Sequence, residues 1–293
     1  MKIRNFREML EAKWASGKFV CVGLDSELKK IPGWAQYDGI GCAGDKKRII
    51  IEFNRSIVEA TKNLVCAYKP NIAFYEAHGA AGIEALYHTI ADIGVLAPDV
   101  PVILDAKRAD IGNTNAGYVE LAFDYLRADA ITVHPYLGSE ALQPFLARAE
   151  KGVIVLCRTS NPGATEFQNA RVVPEWQNAD SDPGTMPFYQ YLAIKIAKDW
   201  NKNGNCGLVV GATYPAELET VRHVVGDMPI LIPGIGAQGG DVKATVTAGK
   251  DSRGRGMIIN SSRGIIFASN GPDFAEAARR ETQKLHDLIN QYR

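Results

Sequence analysis

The stretch Val100-Pro101-Val102-Ile103-Leu104-Asp105-Ala106-Lys107-Arg108-Ala109-Asp110-Ile111-Gly112-Asn113-Thr114 decides how the chain is read. Its first five residues are apolar and partly β-branched, which predicts a buried strand. Period-two alternation sets Asp105 and Lys107 on one face of that strand. A carboxylate and an ammonium aimed together at the end of a buried strand carry a desolvation cost, so they point to chemistry. Asp110 adds a third charged group to the segment.

Outward from this stretch, the same pattern recurs along the chain. Apolar runs predict strands at 19–25, 66–71, 101–107, 130–135, 152–159, 206–213, 228–234 and 256–263. Amphipathic stretches predict helices at 45–64, 80–96, 114–127, 138–149, 188–203, 215–225 and 239–249, with 271–291 closing the chain. Ile50, Phe53, Ile57 and Thr61 mark one such face. Eight alternating strands and helices predict an α/β fold, a (β/α)8 TIM barrel in one domain over residues 1–293. The competing architecture is an open doubly wound sheet. Against it, the first strand–helix turn lacks a glycine-rich dinucleotide fingerprint. Polar residues also close many strands: Asp25, Lys69, Asn71, Asp105, Lys107, His134, Ser160, Gln238 and Arg263. A barrel gathers all of those ends on one face. Long insertions near 26–44 and 160–187 interrupt the rhythm. The second carries Pro162, Pro174, Pro183 and Pro187 and is expected to be a lid.

Bulk properties narrow the partners. Hydrophobic residues make up 46% and charged residues 23%, ordinary for a globular enzyme. Lys plus Arg and Asp plus Glu are 33 each, which argues against a nucleic-acid or anionic-membrane partner. No run approaches the ~18 apolar residues of a membrane span. Residues 1–15 lack an apolar signal core, so the expected location is cytoplasmic. Cys21, Cys42, Cys66, Cys157 and Cys206 are odd in number and show no metal-ligand spacing, which predicts buried, reduced thiols.

Two glycine-bearing segments point to a ligand. Pro233-Gly234-Ile235-Gly236-Ala237-Gln238-Gly239-Gly240 follows the seventh predicted strand, and Asn260-Ser261-Ser262-Arg263-Gly264 ends the eighth. Either alone reads as a tight β–α turn. Together, where barrels often bind phosphate, they predict a phosphorylated ligand, with Arg263 offering a bidentate fork. Lys69, in Ala67-Tyr68-Lys69-Pro70-Asn71, ends the second strand at the same barrel end. Alternating Lys and Asp would hold Asp105 ionised and Lys107 protonated as a proton donor.

With these segments in place, the chain resembles the orotidine 5′-phosphate decarboxylase family, in its longer bacterial branch. The resemblance rests on Asp105-x-Lys107-x-x-Asp110-Ile111, Lys69, Asp25 and the two phosphate segments, and it runs from the first strand to the eighth. It implies that Lys69, Asp105, Lys107 and Asp110 form a catalytic array. It further implies that Asp110, Ile111 and Thr114 reach into a partner subunit's site, making a homodimer with shared active sites. Asp25 and Lys69 match ribose-hydroxyl ligands, and Ser160 matches a serine that bonds the pyrimidine. Gln238 and Arg263 match phosphate ligands, with Gly239 of the same turn among the substrate-binding residues. The implied reaction is cofactor-independent decarboxylation of orotidine 5′-phosphate to UMP, with Lys107 protonating C6 and no metal. The enzymatic alternative is a Mg2+-dependent sugar-phosphate decarboxylase or aldolase of the same superfamily. Those relatives carry an acidic metal ligand on the second strand, where this chain has Lys69. The non-enzymatic alternative, a silent phospho-ligand-binding barrel, would be expected to lose Lys107 or an aspartate, and all are present.

Overall fold

Continuous apolar runs become continuous buried strands in this fold. The computed structural model describes residues 4–32, 45–176, 184–236 and 239–293. Its strands are β1 (Val20–Leu24), β2 (Val65–Pro70), β3 (Ile103–Arg108), β4 (Ala130–Val133), β5 (Gly152–Arg158), β6 (Cys206–Val210), β7 (Ile230–Pro233) and β8 (Met257–Ser261). They form one parallel sheet in the order β2-β1-β8-β7-β6-β5-β4-β3. Its two edges meet through parallel bridges from Tyr68 to Val102 and from Asn71 to Asp105. The result is the nearly closed (β/α)8 barrel that the alternation predicts. Every residue of β1, β2, β6 and β8 is buried, because helices cover the outer face while side chains fill the interior.

The main helices are α1 (Phe6–Ala15), α2 (Lys46–Thr61), α3 (Gly79–Leu96), α4 (Gly112–Val119), α5 (Phe188–Lys195), α6 (Pro215–Val225), α7 (Val242–Gly249) and α8 (Phe274–Tyr292). In α2 the Asp45 carboxylate accepts from the amides of Lys47 and Arg48, satisfying N-terminal donors. Ile50, Phe53, Ile57 and Thr61 form its buried face, at the spacing read from the sequence. Two expectations are corrected. The helix predicted at 138–149 is two separate turns, Gly138–Ala141 and Gln143–Leu146. Pro144 has no amide to continue the ladder. The helix predicted from 239 starts at Val242, because Gly239 and Gly240 fold back to the carbonyls of Gly236 and Gly234. Asp241 then caps it by accepting from the Ala244 amide at 2.6 Å.

One end of the barrel is closed. The Phe6 amide of α1 donates to the Glu150 carbonyl at 3.0 Å, and the Trp14 indole donates to the Met257 carbonyl at 2.8 Å. Both contacts lie at the starts of strands, so α1 seals the N-terminal mouth. The described parts of the two insertions, 26–32 and 160–176 with 184–187, follow the C-terminal ends of β1 and β5. The described part of 160–187 holds a short helix, Thr165–Gln168, and an antiparallel ribbon pairing Arg171–Val172 with Met186–Pro187. Cys21, Cys66, Cys157 and Cys206 are free and buried, and burial pushes Cys21, Cys157 and Cys206 up to about 12, which keeps those thiols inert. Among the described residues, no helix is long and apolar enough to cross a membrane.

Candidate active site

Closure of the barrel between β2 and β3 is what brings Lys69 to Asp105. Lys69 Nζ donates to Asp105 Oδ2 at 2.9 Å, and Lys107 Nζ donates to Asp105 Oδ1 at 2.6 Å. Thr132 Oγ1 on β4 donates to the same Oδ1 at 2.9 Å. Asp25, just past β1, holds its Oδ1 3.9 Å from Lys69 Nζ, and that oxygen is buried with no hydrogen-bond partner among the described residues. The electrostatics follow from these distances. Burial works to lower Lys69, but Asp105 and then Asp25 outweigh it and hold the ammonium above the ordinary lysine value. Burial works to raise Asp105, but Lys69 and Lys107 overcome it and hold the carboxyl far below the usual carboxylate range. Asp105 is therefore a fixed anion between two cations. Lys69 is buried, while the Lys107 side chain is half-exposed toward the cavity.

That cavity has a volume of about 450 Å³ and opens at the C-terminal mouth. Asp25, Lys69, Asn71, Asp105, Lys107 and Thr132 line it from β1 to β4. Thr159, Ser160, Asn161 and Gln168 line it from the β5 end and the insertion. Pro233, Gly234 and Ile235 after β7, with Ser262, Arg263 and Gly264 after β8, bring glycine backbone and a guanidinium to the adjoining wall. Leu156, Val209 and Leu231 supply apolar surface. Two glycines make this geometry fit. A Cβ on Gly23 would sit 1.8 Å from Ser262 Oγ, so only glycine lets Ser262 lie over β1. A Cβ on Gly211 would come within 2.8 Å of Ser160, so glycine lets the end of β6 pack against it. Gln168 ties the insertion to the site: its Oε1 accepts from the Thr159 amide at 2.8 Å, and its Nε2 donates to Thr159 Oγ1 at 2.9 Å.

The structure thus brings Asp25, Lys69, Asp105, Lys107, Ser160 and Arg263 to one cavity. Asp110, Ile111 and Thr114 do not line it. Asp110 Oδ1 accepts from the Ile111 amide at 2.7 Å, and Ile111 is 61% exposed. Gly239 shapes its turn without lining the cavity, and Gln238 lies outside the described residues. His134 stays out of the cavity and accepts from the Tyr136 amide at 3.4 Å. Sequence reasoning assigned no role to Thr132, Gln168 or Asn260, all of which line the cavity. Thr132 had a signal, as the one hydroxyl in the aliphatic strand Ala130-Ile131-Thr132-Val133. Gln168 had none, because its partner is nine residues away across a loop. Among the described residues, no group of three His, Cys, Asp or Glu side chains is placed to hold a metal ion.

This geometry can be set beside known proteins. The sequence model of the Orotidine 5′-phosphate decarboxylase / HUMPS family matches residues 18–280. A protein of Ralstonia pickettii (strain 12J) named orotidine 5′-phosphate decarboxylase is 48% identical over 289 residues, covering 98% of this chain and 99% of that one. One of the same name from Azoarcus sp. (strain BH72) is 47% identical over 291 residues, covering 99% and 100%. Among solved structures, Leishmania donovani OMP decarboxylase superposes with a TM-score of 0.78 at 36% identity, covering 97% of this chain and 98% of that one. Leishmania donovani UMP synthase superposes with a TM-score of 0.83 at 38% identity; this chain spans 56% of that longer protein. Barrel, cavity and full-length similarity agree, and this chain belongs to the orotidine 5′-phosphate decarboxylase family.

Proposed function

We propose that this chain decarboxylates orotidine 5′-phosphate to UMP without a cofactor. The observation that carries this is the Lys69–Asp105–Lys107 array in a cavity whose other wall holds Arg263 and the Gly234 turn. Loss of CO2 breaks the bond to C6 and leaves its electron pair there. The pyrimidine offers no sink for that pair, so the barrier is electrostatic. Lys107 stabilises the developing carbanion and then gives C6 its proton; solvent reprotonates the amine. Lys69 and Asp105 hold Lys107 in place and keep the array charged through the cycle. Asp25 accepts from a ribose hydroxyl, which suits its buried oxygen, unpartnered among the described residues. Ser160 faces the pyrimidine, and Gln238, Gly239 and Arg263 hold the phosphate. Binding energy from that remote phosphate draws the 160–187 segment over the site.

The same proposal takes residues 1–293 as one barrel domain working as a cytoplasmic homodimer. Asp110, Ile111 and Thr114 then serve the partner's site. Their absence from their own cavity supports this, as do exposed Ile111, Tyr136 and Leu137 on the loops after β3 and β4.

The test is an absorbance assay with orotidine 5′-phosphate in EDTA. Turnover should persist under chelation. Lys69 stands where metal-dependent sugar-phosphate relatives need a carboxylate, so loss in EDTA with recovery in Mg2+ would favour that alternative.

A further inference from the structure

The ladder between β3 and β4 skips. Leu104 stands opposite Ile131 and Arg108 opposite Val133, four steps along β3 for two along β4. A bulge of this kind strips backbone groups of their ladder partners. Here the amides of Ala106 and Lys107 both donate to Thr132 Oγ1, at 3.0 Å each. A hydroxyl has two acceptor positions and one proton. With both acceptor positions filled, the proton is committed to Asp105 Oδ1. Thr132 is 1% exposed, so solvent does not compete for it. Lys107 itself lies inside the bulge with φ at +49°, a left-handed conformation that non-glycine residues rarely adopt. That conformation turns its side chain back along β3, where Nζ meets the carboxylate two residues earlier.

We infer that Thr132 is the positioning residue for the proton donor: one hydroxyl locks the left-handed backbone of Lys107 and orients the carboxylate that Lys107 grips. Its hydroxyl bonds go to the β3 backbone and to Asp105, so it acts through Lys107 rather than on the reacting carbon. This inference rests on the decarboxylase reading of the site. It predicts a split between chemistry and binding, because UMP uses the phosphate and ribose contacts but needs no proton delivered.

The experiment compares wild type with Thr132→Val, which keeps shape without the hydroxyl, and Thr132→Ser, which keeps the hydroxyl. It measures kcat on orotidine 5′-phosphate and the Kd for UMP. Thr132→Val should lower kcat by at least thirtyfold while Kd for UMP stays within threefold. Thr132→Ser should stay within threefold of wild type in both. If the valine variant does not fold, Thr132→Ala carries the same expectation without added bulk. A hydroxyl-free variant with kcat within threefold of an active wild type would overturn this inference alone. So would a serine variant as impaired as valine, or UMP affinity falling in step with kcat. A wild type inert toward orotidine 5′-phosphate would overturn both this inference and the reading beneath it.

Discussion

Asp105 meets three donors with two oxygens, and its energetics follow from that. Asp105→Asn keeps the shape but removes the charge, leaving buried Lys69 with Asp25 at 3.9 Å as its remaining counter-charge. Breaking a buried pair in this way costs about 3–5 kcal/mol. The pH dependence has a definite sign. The folded pKa of Asp105 is depressed, so the stability it contributes is complete above the unfolded value of about 3.9 and is lost as pH falls toward the folded one. Lys69 is the opposite case. Its folded pKa is raised, so its contribution is complete below the unfolded value of about 10.4 and is lost at higher pH. The stability gap between wild type and Asp105→Asn should therefore be flat near neutrality. Below about pH 3.9 it should narrow by about 1.4 kcal/mol per pH unit. Urea unfolding of both proteins from pH 7 to pH 3 reads this directly. A gap unchanged over that range would mean that Asp105 is not held as a depressed-pKa anion.

At the scale of elements, the barrel is stapled at the end opposite the cavity. Arg222 of α6 is buried and donates to the carbonyls of Gly226, Met228, Gly249 and Gly256. These acceptors join the end of α6, the approaches to β7 and β8, and the end of α7. Burial pulls this guanidinium down to about 10, since carbonyls rather than a carboxylate surround it. Arg222→Met fills similar space and removes the guanidinium donor from all four carbonyls, of which Gly256 keeps the Ile230 amide. It should lower unfolding stability by about 2–4 kcal/mol while kcat at 25 °C stays near wild type. Denaturant unfolding beside steady-state kinetics checks this, and a loss of kcat without loss of stability would contradict it. The legibility of the fold divides along the same line. The eight strands were legible because a parallel strand buried on both faces is an unbroken apolar run. The ends of β6 and β8 were read too long, β6 by three residues and β8 by two, because the chain turns at Ala212 and Thr213 and Arg263 already starts the short helix Arg263–Ile266. Lys69, Asp105 and Lys107 were legible because charge at the end of a buried run is locally conspicuous. Thr132 was conspicuous as a hydroxyl in an aliphatic strand, but its task was not legible, because that task is set by a skip in the neighbouring strand. Gln168 was not, because its contacts depend on how the 160–187 insertion folds back.

For the whole molecule, the open question is which chain completes which site. Asp110 and Ile111 lead into α4 and Thr114 lies in its first turn, yet all three stay outside the cavity of their own barrel. A two-fold axis near this segment would carry each set across to the other subunit, and a closed two-fold pairing gives both sites the same exchange. Complementation tests this. Lys107→Ala and Asp110→Ala should each be nearly inactive alone. Unfolded together and refolded, they should form heterodimers. One site of each heterodimer then combines Lys107 from one chain with Asp110 from the other, both intact, while the second site lacks both. Random pairing puts about half of the dimers in the mixed form, so activity should recover to roughly a quarter of wild type. If Asp110 serves its own chain instead, every site carries one defect and mixing restores nothing. Native mass spectrometry establishes that heterodimers are present, so the absence of recovery in their presence would rule out the shared site.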